Sequence, residues 1–163
     1  MKHIISALVE NKPGVLAHIA GMFAARAFNI DSLVVGRTED PQFSRMTIVV
    51  IGDDKVLEQV RKQLAKIVPV VKVQDFAGQP LVARDLMLIA VSAPPEKRQE
   101  ILALIEMFKG KVVDISSKSM MVEICGPEAK IEAFIEVCKP YGIKSVARTG
   151  TIAMPRQARA DGD

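Results

Sequence analysis

The residues best equipped for chemistry in this chain are few and scattered. The two histidines, His3 and His18, have no cysteine, histidine or carboxylate at metal-ligand spacing, so a surface or partly packed role accounts for each. Cys125 and Cys138 form no C-x-x-C pair and are expected to be buried, reduced thiols. No serine–histidine–acid order or nucleophile elbow occurs, and Ser116-Ser117-Lys118-Ser119 reads as a solvated hairpin turn. Glu39-Asp40 and Asp53-Asp54 fall at turns, where acids cap helices and solvate loops. Neither a catalytic set nor a metal site is expected.

One segment offers binding chemistry instead. In Asn11-Lys12-Pro13-Gly14-Val15-Leu16 a strand gives way to a helix. Pro13 and Gly14 could simply permit the bend. The same turn also presents unpaired backbone N–H groups at the positive end of a helix dipole, which suits a carboxylate. Gly14 allows a ligand close to the backbone, and Asn11 supplies both a donor and an acceptor. A zwitterionic amino acid would fit without any charged side chain. Asn29 stands at the far end of that helix. A helix from Gly14 to Phe28 is about 20 Å long at 1.5 Å per residue, so Asn29 must serve a second site or act across a dimer.

The elements that position these residues follow a repeated order. Residues 2–10 read as a strand, and Val15, Leu16, Ile19, Met22, Phe23 and Ala27 form one helical stripe. Strands follow at 30–35 and 45–51, separated by a turn at Thr38-Glu39-Asp40-Pro41. A second helix, capped by Asp53 or Asp54, carries Val56, Leu57, Val60, Leu64 and Ile67, and a fourth strand lies at 69–73. The same β-α-β-β-α-β order recurs from Asp85 to Val146, with Gly126 placed as Gly52 is in the first half. The fold class is therefore α+β, with two tandem ferredoxin-like (βαββαβ) domains. The expected boundaries are 1–77 and 78–154, with a flexible tail at 155–163. Domains this small bury modest cores, so packing on each other or on a second chain is expected. The second domain has Ser92-Ala93-Pro94-Pro95 where the first has its Asn-x-Pro-Gly turn, and is not expected to bind the same ligand.

Composition narrows the function classes. The chain is 49% hydrophobic and 25% charged with a net charge of +3, which argues against disorder and against a basic nucleic-acid arm. No apolar run reaches the roughly 18 residues of a membrane span, and no secretory signal is present, so a cytoplasmic protein is expected. An RNA-recognition module shares the element order, but its third strand needs interleaved aromatics. Here that strand reads Arg45-Met46-Thr47-Ile48-Val49-Val50, without an aromatic residue. Neither nucleic acid nor membrane is an expected partner. A stand-alone enzyme of this fold would need a poised base, for which the histidines are poorly placed.

Five blocks carry a family resemblance. Glu10-Asn11-Lys12-Pro13-Gly14-Val15-Leu16, followed by Asn29-Ile30, resembles the amino-acid-sensing ACT domain. Residues 29–36, 44–50, 114–119 and the closing Ala147-Arg148-Thr149-Gly150 resemble the small regulatory subunits of acetolactate (acetohydroxyacid) synthase. The resemblance covers residues 2–152 and makes the first domain an ACT domain. It implies a non-catalytic regulator in branched-chain amino acid biosynthesis that activates a large catalytic subunit and confers feedback inhibition by valine. It implies no cofactor in this chain, with thiamine diphosphate, magnesium and FAD on the large subunit. It also implies a homodimer through ACT domains with the effector at the interface. Asn11, Pro13, Gly14, Val15 and Leu16 would then come from one protomer and Asn29 and Ile30 from its neighbour, with Val35 helping to enclose the effector's isopropyl group. The alternatives are a ferredoxin-like RNA-binding module or an amino-acid sensor for a different enzyme.

Overall fold

The computed structural model describes residues 1–157, and its contacts divide the chain into two units. The first holds Met1–Val82 together with residues 151–157; the second holds Ala83–Gly150. No helix among the described residues is long and apolar enough to cross a membrane.

In the first unit, β1 (Lys2–Glu10), α1 (Val15–Ala25), β2 (Ile30–Arg37), β3 (Phe43–Ile51), α2 (Asp54–Leu64) and β4 (Val70–Asp75) realise the expected order. The strands form an antiparallel sheet in the order β2-β3-β1-β4, leaving β2 as an edge. Alternation along β1 and β3 sends Ile5, Ala7 and Val9, with Met46, Ile48 and Val50, toward the helices. There they meet Ile19 and Phe23 of α1 and Leu57, Val60 and Leu64 of α2. α1 is shorter than the sequence suggests: Ala27 takes φ 54 and ends it before Phe28, whose ring packs edge-on against Phe23 at 6.1 Å.

The second unit repeats the design with β5 (Leu81–Ser92, whose first two residues belong to the first unit), α3 (Arg98–Met107), β6 (Lys111–Ile115), β7 (Ser119–Gly126), α4 (Glu128–Cys138) and β8 (Ile143–Arg148). Its strand order is β6-β7-β5-β8, and its core includes Met87, Ile89, Met120, Ile124, Ile131 and Phe134. Gly52 and Gly126 match for one physical reason. A Cβ at either would lie 2.7 Å from Val56 or 2.5 Å from Lys130, side chains of the helix that follows.

Three expectations need correction. The units divide between Val82 and Ala83 rather than after Ala77, because Phe76 is buried, its N–H donates to the Ile4 carbonyl at 3.1 Å, and β5 starts at Leu81. The end of the chain is not loose from residue 155: Ile152–Pro155 forms β9, which pairs with β5, and Arg156 N–H donates to the Pro80 carbonyl at 2.9 Å. The rest of the expected tail, residues 158–163, lies outside the described residues. Finally, Cys125 is exposed, since inward-facing Ile124 turns its neighbour to the other face, whereas Cys138 is buried. Burial pushes the Cys138 thiol up to about 11. It therefore stays protonated in the folded chain while an unfolded chain would ionise it from about pH 9, so this group's contribution to stability is lost as pH rises through that window. At pH 8 a thiol reagent should label Cys125 alone in the native protein and both cysteines after unfolding, as counted by mass spectrometry.

Candidate functional site

The β1–α1 turn is built by backbone conformation. Gly14 adopts φ 84, ψ −13, a left-handed geometry in which an L side chain is strained, and this lets Val15 start the helix directly. Val15 is buried and anchors the first turn in the core, while Leu16 remains 47% exposed beside it. The turn is tied to the β2–β3 hairpin by Asn11, whose backbone N–H donates to the Gln42 carbonyl at 2.7 Å and whose Nδ2 donates to the Pro41 carbonyl at 3.0 Å. The Asn11 side chain thus has its donor engaged and keeps Oδ1 to accept from an ammonium group.

The amides of this turn are the distinctive feature. His18 N–H donates to the Gly14 carbonyl at 2.9 Å, and Val15 N–H reaches the Lys12 carbonyl only at 3.4 Å. Among the described residues the amides of Gly14, Leu16 and Ala17 have no acceptor, and no side chain caps the helix. The other three α-helices each carry an acid in the first turn: Asp54, Glu100 and Glu128. α2 is capped in addition by Asp53 Oδ1, which accepts from Val56 N–H at 2.9 Å. Only α1 among the described α-helices has neither device, so its N-terminal partial charge is unopposed by its own side chains.

The structure brings Asn11, Pro13, Gly14, Val15 and Leu16 together and leaves Asn29 and Ile30 apart from them. Asn11 binds the hairpin that follows β2, whereas Asn29 precedes the strand's first residue. The eight residues of β2 separate those ends by roughly 23 Å at about 3.3 Å per residue. Val35 lies toward the turn end, on the helix-bearing face opposite Met46, and is 42% exposed. The register of β2 shifts between Ile30 and Ser32, a bulge beside the candidate residues, and Asp31 there pairs with Lys2 at 2.9 Å.

The corresponding turn of the second unit is closed. Arg98 Nε donates to the Ala93 carbonyl at 3.1 Å, and its Nη2 donates to the Ser116 carbonyl, so a guanidinium fills the entrance to α3. Ala93 itself is fully buried. The face of the first sheet turned away from its helices offers no base-stacking platform either. Its central positions are Ile4, Ser6 and Leu8 on β1 against Val49, Thr47 and Arg45 on β3, and Ser6, Thr47 and Val49 are buried. Sequence reasoning missed the Asn11–Pro41 bond, the Arg98 plug and a bond from Thr151 N–H to Ser32 Oγ at 3.0 Å.

Comparison with known proteins identifies the family. Residues 5–72 match a family model described as an AHAS small subunit-like ACT domain, and residues 84–157 match one described as the small subunit of acetolactate synthase. A probable acetolactate synthase small subunit of Archaeoglobus fulgidus is 55% identical, covering 96% of this chain and 98% of the relative. The acetolactate synthase small subunit of Aquifex aeolicus is 50% identical over 96% of this chain and 82% of its own length. A crystal structure of the small subunit from Thermotoga maritima superposes with a TM-score of 0.91 at 43% identity, covering 98% of this chain and 99% of that one. The chain belongs to the acetolactate synthase small subunit family.

Proposed function

We propose that this chain is the regulatory subunit of acetolactate synthase, binding valine between two copies of itself and setting the activity of a large catalytic subunit. The observation that carries the reading is the uncapped α1 N-terminus beside Asn11. The amides of Gly14, Leu16 and Ala17 lack acceptors among the described residues and suit a carboxylate, and Asn11 Oδ1 is placed to accept from the amino group. Leu16 and Val35, both partly exposed, supply apolar cover for an isopropyl group.

A second copy explains the remaining residues. β2 is an edge strand with unpaired backbone groups, and antiparallel pairing of two such strands about a two-fold axis sets the start of one beside the end of the other. Asn29 and Ile30 of the second copy then stand next to the first copy's turn. The solvent side of α1 supports the same contact: Leu16, Ala17, Ala20, Gly21 and Ala24 are exposed, with His18 the one polar side chain among them. A helix apolar on both faces is suited to burial.

The reading leaves the chemistry, with thiamine diphosphate, magnesium and FAD, on the large subunit. This chain contributes a binding equilibrium, and valine acts only in so far as it favours one conformation over another. A coupling free energy of about 1–3 kcal/mol corresponds to roughly a 5–150-fold change in the linked equilibrium. The test is acetolactate formation by a purified large subunit titrated with this chain. Activity should rise with added chain and fall again with valine; activity indifferent to the chain would overturn the proposal.

A further inference from the structure

The chain passes between its two units twice, after Val82 and after Gly150. At the second passage three consecutive residues have different anchors. Thr149 is held in the second unit: its N–H donates to the Leu86 carbonyl at 2.9 Å, and its Oγ1 accepts from Leu86 N–H at 3.1 Å. Beside it, Arg148 Nε donates at 2.9 Å to the carboxylate of Asp85, a residue only 1% exposed. Gly150 follows at φ +86, in the left-handed region that glycine enters without strain. Thr151 is held in the first unit, where its N–H donates to Ser32 Oγ at 3.0 Å, and it is only 9% exposed.

Ser32 is no ordinary anchor point. It lies on β2 two residues after Ile30, immediately beyond the bulge at Asp31, on the strand that carries Asn29 and Ile30. A change in how β2 is held therefore reaches Thr151 through one side-chain hydrogen bond. The glycine next to it can rotate while Thr149 stays clamped. This combination of a fixed end, a permissive residue and an end tied to the effector strand is what a transmitting joint requires.

We propose that Ser32 is a positioning residue that couples effector binding on β2 to the connector Thr149–Gly150–Thr151 and through it to the second unit. The proposal rests on the reading that the effector lies against Asn29 and Ile30. Ser32 touches no effector itself; its hydroxyl fixes where Thr151 sits relative to the strand. Ser32→Ala removes the acceptor without adding bulk, and Ser32→Thr keeps a hydroxyl.

The test is amide hydrogen exchange of the full chain with and without valine, read by peptide. In the unsubstituted chain, valine should slow exchange at 11–17 and 29–32 and alter it at 149–152. In Ser32→Ala the first two responses should persist and the change at 149–152 should vanish, with Ser32→Thr restoring it. With the large subunit present, Ser32→Ala should bind valine within about threefold of the unsubstituted chain yet lose about tenfold or more in inhibition. A change at 149–152 that survives in Ser32→Ala overturns the proposal. Loss of protection at 11–17 in that variant overturns it as well, since Ser32 would then merely shape the site. Absence of any valine effect at 11–17 and 29–32 in the unsubstituted chain instead refutes the effector site on which the proposal stands.

Discussion

Gly14→Asp should abolish valine inhibition while leaving the fold and the activation of the large subunit in place. The backbone at Gly14 is left-handed, and a Cβ built there meets nothing within 4 Å, so the substitution costs conformational strain without a clash. Aspartate tolerates this region better than most L-residues, and the cost should be about 1 kcal/mol. The effect on binding is much larger. The new carboxylate would sit among the free amides of Gly14, Leu16 and Ala17, where the proposed effector's carboxylate would lie. Two like charges about 4 Å apart repel by roughly 1 kcal/mol in water and about 4 kcal/mol at the effective dielectric of a protein surface. The affinity for valine should therefore fall by roughly 5- to 1,000-fold by isothermal titration. Gly14→Asn carries the same strain without the charge and should lose no more than about tenfold. Equal losses in the two variants would mean that backbone geometry, not anion recognition, governs the site.

Arg148→Met should be the most destabilising single change in the second unit outside its apolar core. Arg148 joins the buried Asp85 carboxylate through Nε and Nη2, and its Nη1 donates to Glu132 on α4 at 2.5 Å. Burial works against the Arg148 charge, but its hydrogen bonds to Asp85 and Glu132 outweigh it and hold its pKa above the usual arginine value. Removing the guanidinium leaves Asp85 sealed from water with Thr149 Oγ1, at 3.3 Å, as its remaining side-chain donor. Breaking such a pair from this side costs about 3–5 kcal/mol. Asp85→Asn is milder, because Arg148 is 29% exposed and keeps Glu132, and it should cost about 1–2 kcal/mol. For a unit of this size each kcal/mol shifts the midpoint by about 4–8 °C, so thermal unfolding separates the two variants clearly. Equal shifts would show that the buried charge is not what the guanidinium stabilises.

The features that the sequence revealed were local ones. Pro13-Gly14 between a period-2 and a period-3.6 segment located the α1 turn, and Asp53 before an apolar stripe located the cap of α2. The match between Gly52 and Gly126 was legible because each glycine makes room for a side chain four residues on. What escaped were contacts between distant segments. Nothing near Asn11 announces that its amide will bind Pro41, and Ser32 meets a residue 119 positions away. β9 has only four residues and ends on a proline, too short for alternation to register. Cys125 was readable, since alternation with Ile124 turns it outward; the general preference of free cysteine for burial gave the wrong answer there. Asp85 reads as the polar start of an apolar strand, and only its meeting with Arg148, 63 positions on, makes it a buried ion.

The central claim is that one effector is held by the turn of one copy and the β2 strand of another. Mixing two variants tests it directly: Gly14→Asp spoils the turn, and Asn29→Ala spoils the strand. If the site is shared, a mixed dimer contains one site with both defects and one with neither. Copies that separately fail to bind valine should then, after exchange, recover one high-affinity site per mixed dimer by isothermal titration. If turn and strand of the same copy form the site, every site in the mixture stays defective and no high-affinity binding returns, which would contradict the account.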